Sequence, residues 1–369
     1  MARELFIGLM SGTSLDGIDA ALVDFSQAQP LLIDTFFTPY DPPLKAQLFK
    51  LFTPGDNEID SMGSCCTQLG NAYAEAVNKL LLQARCPHAN IKAIGCHGQT
   101  IRHRPDWPTP FSLQIGDPNI IAHRTKITTL VDFRRRDLAS GGQGAPLAPA
   151  FHHEAFHSDE ENRVILNIGG ISNISWVPKN NQEEPLGFDT GPGNSLLDLW
   201  CAKHLNKPYD NQGEWAATGH ISEELLDSLL SESFFLLHPP KSTGKELFNA
   251  EWLEPHLNKH NSLKPEDIQA TLLELTARSV SVAIKTHCPK ADSLYVCGGG
   301  AHNQTLMKRL ASLSGLPAKS TSTIGIDPDW VEAIAFAWLA RQTLSGLTGN
   351  VPAATGANES VILGGIYPA

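Results

Sequence analysis

The chain has 369 residues, of which 41% are hydrophobic and 18% charged. This is globular composition and excludes disordered, collagen-like and coiled-coil chains; since one core stops growing near ~250–300 residues, two domains are expected. The formal charge is −11 with no long basic run, which argues against sequence-independent nucleic-acid binding. No apolar stretch reaches the ~18 residues that span a bilayer.

Met1-Ala2-Arg3-Glu4 leads straight into an apolar segment, without the apolar run and cleavage site of a secretory signal. Seven cysteines, an odd count with no C-x-x-C, read as reduced thiols in a cytoplasmic protein. Residues 4–25 read as two strands around the turn Ser11-Gly12-Thr13-Ser14-Leu15-Asp16-Gly17, and Leu31–Phe37 as a third strand. Helices are expected near Leu44–Phe52 and over Ser64–Ala84, where Leu69, Tyr73, Ala76, Val77, Leu80 and Leu81 share one face. Ile91–Cys96 is a buried strand ending in His97-Gly98-Gln99-Thr100, and 104–145 reads as a long polar loop. Gly144–Phe156 reads as a helix with Pro146 in its first turn.

A second strand pair begins at Arg163, with Val164–Ile168, Gly169-Gly170 and Ile171–Val177 repeating the plan of residues 4–25. This suggests an internal duplication. Gly187-Phe188-Asp189-Thr190-Gly191-Pro192-Gly193-Asn194 then leads into a helix at Ser195–His204. Helices are expected over 221–237, 265–287 and 303–313. Leu294–Cys297 is a strand that runs into Gly298-Gly299-Gly300, and Asp329–Leu344 is the last strong helix.

Three glycine-rich turns thus follow apolar strands, near residues 12, 169 and 298. Small residues there let backbone N–H groups approach an anion. The standard templates are absent: Ser242-Thr243-Gly244-Lys245 lacks the glycine five positions earlier, and no G-x-G-x-x-G follows a strand. Asp16 lies inside the first of these turns and Asp189 inside the further segment Gly187-Phe188-Asp189-Thr190-Gly191; a carboxylate so placed holds Mg²⁺, accepts a proton or caps a turn. His153-Glu154-Ala155-Phe156-His157 matches H-E-x-x-H, but residues 158–163 do not continue as a zinc protease. Arg134-Arg135-Arg136, between Asp132 and Asp137, is either an anion grip or a solvated loop.

Together these motifs resemble the anhydro-N-acetylmuramic acid kinase family. The resemblance is carried by Ile7–Asp19, Gly95–Thr100, Gln114-Ile115-Gly116-Asp117, Asp132-Phe133-Arg134 and Asn167–Asn173. Gly187–Asn194, Cys297–Asn303 and Trp330-Val331-Glu332-Ala333 complete it, so that it spans about residues 5–366. It implies an actin/hexokinase-like (ribonuclease H-like) α/β fold of two domains, each with a mixed five-stranded sheet, and ATP in the cleft between them. Domain I would be 1–158 plus 328–369, the substrate side with the first phosphate loop. Domain II would be 159–327, with the second phosphate loop and the adenosine side.

The resemblance further implies an ATP-dependent kinase that opens the 1,6-anhydro ring of 1,6-anhydro-N-acetylmuramic acid with water and phosphorylates oxygen 6, in cell-wall recycling. Asp189 would be the catalytic base and Glu332 a second, sugar-contacting acid. ATP would meet Gly12, Thr13, Ser14, Leu15, Asp16, Gly17, Ile18 and Asp19, then Gly169, Gly170 and Asn173, and Gly298, Gly299, Gly300 and Asn303. The sugar would meet His97, Gln99, Thr100, Gln114, Asp117 and Arg134, with Arg134 on its lactyl carboxylate. Mg²⁺ would bridge the phosphates with Asp16 in its outer shell. A cytoplasmic homodimer is implied, without nucleic-acid or membrane partners. The alternative is a metal-dependent group-transfer enzyme of the same fold using His153 and His157, and a third reading is a non-catalytic nucleotide-binding protein.

Overall fold

A computed structural model describes residues 3–179, 183–244 and 246–369. Met1, Ala2 and Lys245, which entered the leader and Ser242–Lys245 readings, lie outside the described residues. The chain divides into two compact units, Met1–Phe151 with Trp330–Ala369, and His152–Asp329.

The first unit opens with β1 (Leu5–Ser11), β2 (Gly17–Asp24) and β3 (Leu31–Pro39), followed by α1 (Pro42–Lys50) and α2 (Glu58–Gln83). It continues through β4 (Ile91–Arg104), β5 (Phe111–Ile115), α3 (Pro118–Thr125), β6 (Thr129–Val131) and α4 (Phe133–Ala139). The boundary falls inside α5 (Ala148–Phe156). The chain returns to this unit with α11 (Val331–Leu344), α12 (Pro352–Thr355) and β12 (Gly365–Tyr367). The second unit contains β7 (Arg163–Ile168), β8 (Ile171–Val177), β9 (Leu186–Pro192), α6 (Ser195–Leu205), α7 (Glu223–Leu230) and α8 (Ala250–Asn258). Then come α9 (Pro265–His287), β10 (Ser293–Cys297), α10 (Gln304–Ser314) and β11 (Ala318–Ser320).

The two sheets share a plan. In the first, strand order is β12-β6-β4-β1-β2-β3, with β5 on β4; in the second it is β11-β10-β7-β8-β9. Each is a three-strand antiparallel meander whose first strand pairs in parallel on its other side, β1 with β4 and β7 with β10. This repeated order is the actin/hexokinase-like arrangement and accounts for the repeated strand–turn–strand pattern. The second sheet has the five strands expected. The first has seven, because β5 folds back on β4 and β12 adds beside β6.

Four local expectations are corrected. The strand expected to stop at Cys96 runs to Arg104, since its polar end pairs with β5, from Gln99↔Ile115 to Arg104↔Phe111. The supposed loop 104–145 therefore holds β5, α3, β6 and α4, short elements of which β6 pairs with β12 at the far end of the chain. The helix expected from Gly144 starts at Ala148, with Pro149 rather than Pro146 in its first turn. The helix expected over 221–237 stops at Leu230, and a short 3₁₀ turn, Ser233–Leu236, follows behind a cap from Glu232.

Each unit has its own core. In the first, Ile7, Leu9, Leu22, Leu69, Tyr73 and Val77 are among the buried residues joining β1, β2 and α2. The other face of that sheet is covered by α11, and two glycines make the approach possible. A Cβ on Gly8 would lie 1.7 Å from the Ala333 carbonyl oxygen, and one on Gly95 2.0 Å from that of Phe336. In the second unit α9 is buried along much of its length against β9 and α6, with Leu272, Leu275, Val280 and Ile284 in the core. No helix among the described residues is long and apolar enough to cross a membrane.

Candidate active site

In the first unit the turn after β1 is held by what lies beneath it. Leu15 takes a left-handed conformation, φ 58°, and sinks its side chain into the core at 1% exposure. Gly17 has no room for a side chain, because a Cβ would sit 2.2 Å from the Thr38 carbonyl oxygen. Ile18 is buried and Asp19 half-buried on β2, while Thr13, Ser14 and Asp16 face solvent around Gly12. The turn thus presents backbone and small polar groups on a fixed base. The Asp16 carboxylate is 3.8 Å from Lys45 Nζ and largely exposed.

Beside this turn, β4 carries His97, Gln99 and Thr100. Arg134, in the first turn of α4, donates from Nε and Nη2 to His97 Nε2 (3.2 and 2.9 Å), and from Nη1 to the Gly144 carbonyl (2.8 Å). His97 therefore carries its proton on Nδ1. Burial and the Arg134 guanidinium hold it neutral, well below the usual histidine range. Its ring packs on Phe336 of α11 at 4.7 Å. The Gly144 anchor is itself fixed, because the fully buried Asp137 accepts from Gly144 N–H (2.8 Å), Asn350 (2.7 Å) and Thr355 (2.8 Å).

Gln114 joins this group, donating to the Thr100 hydroxyl at 3.1 Å. Gln99 is fully buried and bonds inward to Gly12 rather than outward. The Asp117 carboxylate caps α3, accepting from Asn119 N–H at 2.9 Å. Glu332 lies half-buried in the first turn of α11, whose next residue is held by the close approach at Gly8.

In the second unit one register row organises the chemistry. Cys297 of β10 pairs with Asn167 of β7, Asn167 with Asn173 of β8, and Asn173 with Asp189 of β9. Asp189 is 8% exposed. The side-chain oxygens of Asn167 and Asn173 are buried, with no hydrogen-bond partner among the described residues. Buried polar atoms are normally paired, so these acceptors are positioned for a ligand that donates. At the head of the row Gly298, φ 75°, leaves no space for a Cβ, which would meet Asn167 Oδ1 at 2.4 Å. Gly300 packs equally closely on Ile168, and Asn303 caps α10 by accepting from Leu306 N–H at 3.0 Å. The Gly169-Gly170 turn is locked to the start of α6, its carbonyls accepting from Gly193, Asn194 and Ser195 N–H at 2.8 to 3.1 Å.

Lys241 and Phe248, which follow β9 in the chain, are both buried, at 7% and 1% exposure. The Asp189 N–H donates to the Lys241 carbonyl at 3.1 Å, and Thr243 N–H donates to Asp189 Oδ2 at 2.8 Å. Lys241 Nζ reaches the Phe234 carbonyl at 3.2 Å and packs over the Phe234 ring. Burial lowers the Lys241 pKa, and the Asp189 charge acts against that shift. Asn167 is not among the site residues expected from the sequence, and the composition of this strap, Lys241–Phe248, points there only to a nucleotide contact. The available signal was that Asn167 and Asn173 lie on either side of Gly169-Gly170.

The sequence profile of the anhydro-N-acetylmuramic acid kinase family matches residues 4–369. A protein of that name from Coxiella burnetii (strain Dugway 5J108-111) is 53% identical over 368 residues, covering 100% of this chain and 98% of the relative. The chain belongs to the anhydro-N-acetylmuramic acid kinase family. A relative of the same name from Saccharophagus degradans is 52% identical with 100% of both chains covered. Among solved structures, the activator of the 2-hydroxyisocaproyl-CoA dehydratase from Clostridium difficile with bound ADPNP is similar at a TM-score of 0.48 and 14% identity, covering 90% of this chain and 92% of that one.

Membership in the anhydro-N-acetylmuramic acid kinase family does not favour the metal-dependent alternative. The rings of His153 and His157 lie 5.5 Å apart, but no three His, Cys, Asp or Glu side chains among the described residues group as a metal cage. A resident metal centre does not fit this residue set. A Mg²⁺ ion carried in on nucleotide phosphates needs only one or two protein carboxylates, and the exposed Asp16 beside the first turn meets that requirement.

Proposed function

We propose that this chain is an ATP-dependent sugar kinase that hydrolytically opens 1,6-anhydro-N-acetylmuramic acid and phosphorylates oxygen 6, giving N-acetylmuramic acid 6-phosphate and ADP. The observation that carries this reading is the placement of Asp189. It is a buried carboxylate oriented by a backbone N–H, in register with two amide oxygens that have no partner among the described residues, in a chain that matches the kinase family over its length.

In this reading Asp189 takes a proton from water as the water oxygen bonds to the anomeric carbon. The bond from that carbon to oxygen 6 breaks. Oxygen 6 attacks the γ-phosphorus, and the bond to the ADP oxygen breaks. This is inverting-glycosidase logic with a phosphoryl group in place of the acid's proton. The turns at 12–19, 169–173 and 298–303 hold ATP through backbone N–H groups and small side chains. Asp16 would be the carboxylate that helps hold Mg²⁺, which when bound would offset phosphate charge. Glu332, His97, Thr100, Gln114 and Arg134 hold the sugar. Arg134, already aimed by His97 and Gly144, faces the lactyl carboxylate. Asp117 acts through α3, which it caps.

The enzyme works in the cytoplasm as a homodimer. The seven cysteines, all free of disulfides, support the compartment, and the family resemblance supports the dimer.

The test is mass spectrometry of products formed from ATP, Mg²⁺ and the anhydro sugar in oxygen-18 water. The expected product is a 6-phosphorylated sugar with one heavy oxygen at carbon 1. Unchanged sugar, with the protein folded and ATP bound, would overturn the substrate assignment.

A further inference from the structure

Gln99 resembles a sugar-contacting residue in sequence, but its carboxamide is fully buried beneath the first phosphate turn. In the parallel pair of β1 and β4 it stands opposite Ser11, at a register shift between Leu9 and Ser11. Its Oε1 accepts from the Ser11 hydroxyl (3.1 Å) and the Tyr40 hydroxyl (3.2 Å). Its Nε2 donates to the carbonyls of Gly12 (3.2 Å) and Thr100 (3.3 Å). Carbonyls only accept, so the amide has one consistent orientation, with nitrogen toward Gly12. The Tyr73 hydroxyl, 2.7 Å from Ser11 Oγ, completes the chain by donating to it. Burial pushes the Tyr40 phenol up to about 12 and raises that of Tyr73, so both remain donors.

The same groups grip the turn at both ends. Gly12 O accepts from Gln99 and also from Leu15 N–H (3.3 Å), which closes the turn. Tyr40 bonds Gln99 through its hydroxyl, and its N–H donates to the Asp16 carbonyl at 3.2 Å. The exposed residues Thr13 and Ser14 lie between those two clamps. Gln99 also bonds Thr100, which Gln114 holds on the sugar side.

We infer that Gln99 is a positioning residue that ties the sugar-binding strand β4 to the phosphate turn and sets the turn's geometry, rather than a group that touches the sugar. This rests on the kinase reading above. A preorganised turn meets phosphate without paying reorganisation at each binding event, so loss of the carboxamide weakens ATP engagement and leaves the sugar's own contacts in place.

The experiment compares Gln99→Leu, Gln99→Glu and Tyr73→Phe with wild type. Four readouts are taken: ATP·Mg²⁺ affinity by calorimetry without sugar, sugar affinity without nucleotide, KM for each substrate, and thermal midpoint. Gln99→Leu should weaken ATP about tenfold and leave sugar affinity within about twofold. Gln99→Glu keeps the size and the acceptor but sets an oxygen against Gly12 O, and should be at least as severe for ATP. Tyr73→Phe removes only the far hydroxyl and should move ATP affinity about threefold in the same direction. Reduced sugar affinity with unchanged ATP affinity would overturn the inference. So would a lowered midpoint with both affinities unchanged in Tyr73→Phe and in whichever Gln99 variant folds. ATP affinity is read without the sugar, so a wrong substrate assignment shows separately, as wild-type protein that leaves the sugar unphosphorylated.

Discussion

Asp189 shows how a side chain acquires a role from its neighbours. An aspartate between glycines is a common turn residue, but here it is on a strand, buried, with one carboxylate oxygen held by Thr243 N–H. A fixed carboxylate in a nearly dry site suits proton abstraction from a bound water, and general-base action contributes about 10²–10⁴-fold. Asp189→Asn keeps the shape and loses the carboxylate that the proposed mechanism uses as its base. Its turnover should fall by about 10³-fold or more, with ATP affinity within about twofold of wild type, read by single-turnover kinetics and calorimetry. Loss of ATP binding in that variant would assign Asp189 a structural or metal-holding role instead. The carboxylate itself was legible in Gly187–Asn194. The strap over it was not, because Lys241 reaches Phe234 and Asp189 only once the chain has folded back.

At the scale of elements, the packing of α11 on the first sheet depends on two missing side chains. Gly8 and Gly95 are register partners on β1 and β4, and both lie against carbonyl oxygens of α11. A methyl group at either would have to displace backbone, which overpacks the interface and lifts the helix that carries Glu332 in its first turn. Gly8→Ala should cost about 3 kcal/mol or more and lower the thermal midpoint by roughly 10 °C. Gly63 is the control, since it lies within α2 and a Cβ added there would meet nothing within 4 Å. Gly63→Ala should stabilise by up to about 1 kcal/mol through helix propensity. A thermal scan of the two variants side by side checks both signs. The sequence showed a glycine inside each strand but not what approached it, because Ala333 and Phe336 lie far along the chain and meet the strands only after folding.

For the whole molecule, buried neutral histidines set the acid limit. His152, 1% exposed and bonded to Ser175 Oγ at 2.8 Å, is pushed down to about 3 by burial. His103 is pushed down to about 4 by burial and by Arg134 and Arg104, and His97 is held low by burial and Arg134. In each case the unfolded chain binds the proton more readily, near 6.5. The stabilisation is therefore complete above that pH and is lost as pH falls through the window toward 3–4. For His152 the slope approaches about 1.4 kcal/mol per pH unit within the window. Denaturant midpoints should be flat from about pH 7 to 8 and decline below about 6.5, and His152→Asn should make the decline shallower. An equally steep decline in that variant would remove His152 from the account.

The amino-acid sequence by itself determined the local grammar: apolar strands before glycine turns, the α2 periodicity, the duplicated strand–turn–strand plan and the acidic residues set among the glycines. These depend on neighbours a few positions apart, so spacing reveals them. Tertiary structure alone decided which groups meet. The row Cys297–Asn167–Asn173–Asp189 is assembled by strand pairing, the extension of β4 by its pairing with β5, and the inward turn of Gln99 by the hydroxyls of Ser11 and Tyr40. Whether a polar side chain faces solvent, substrate or another part of the chain depends on burial and on partners that only long-range pairing supplies.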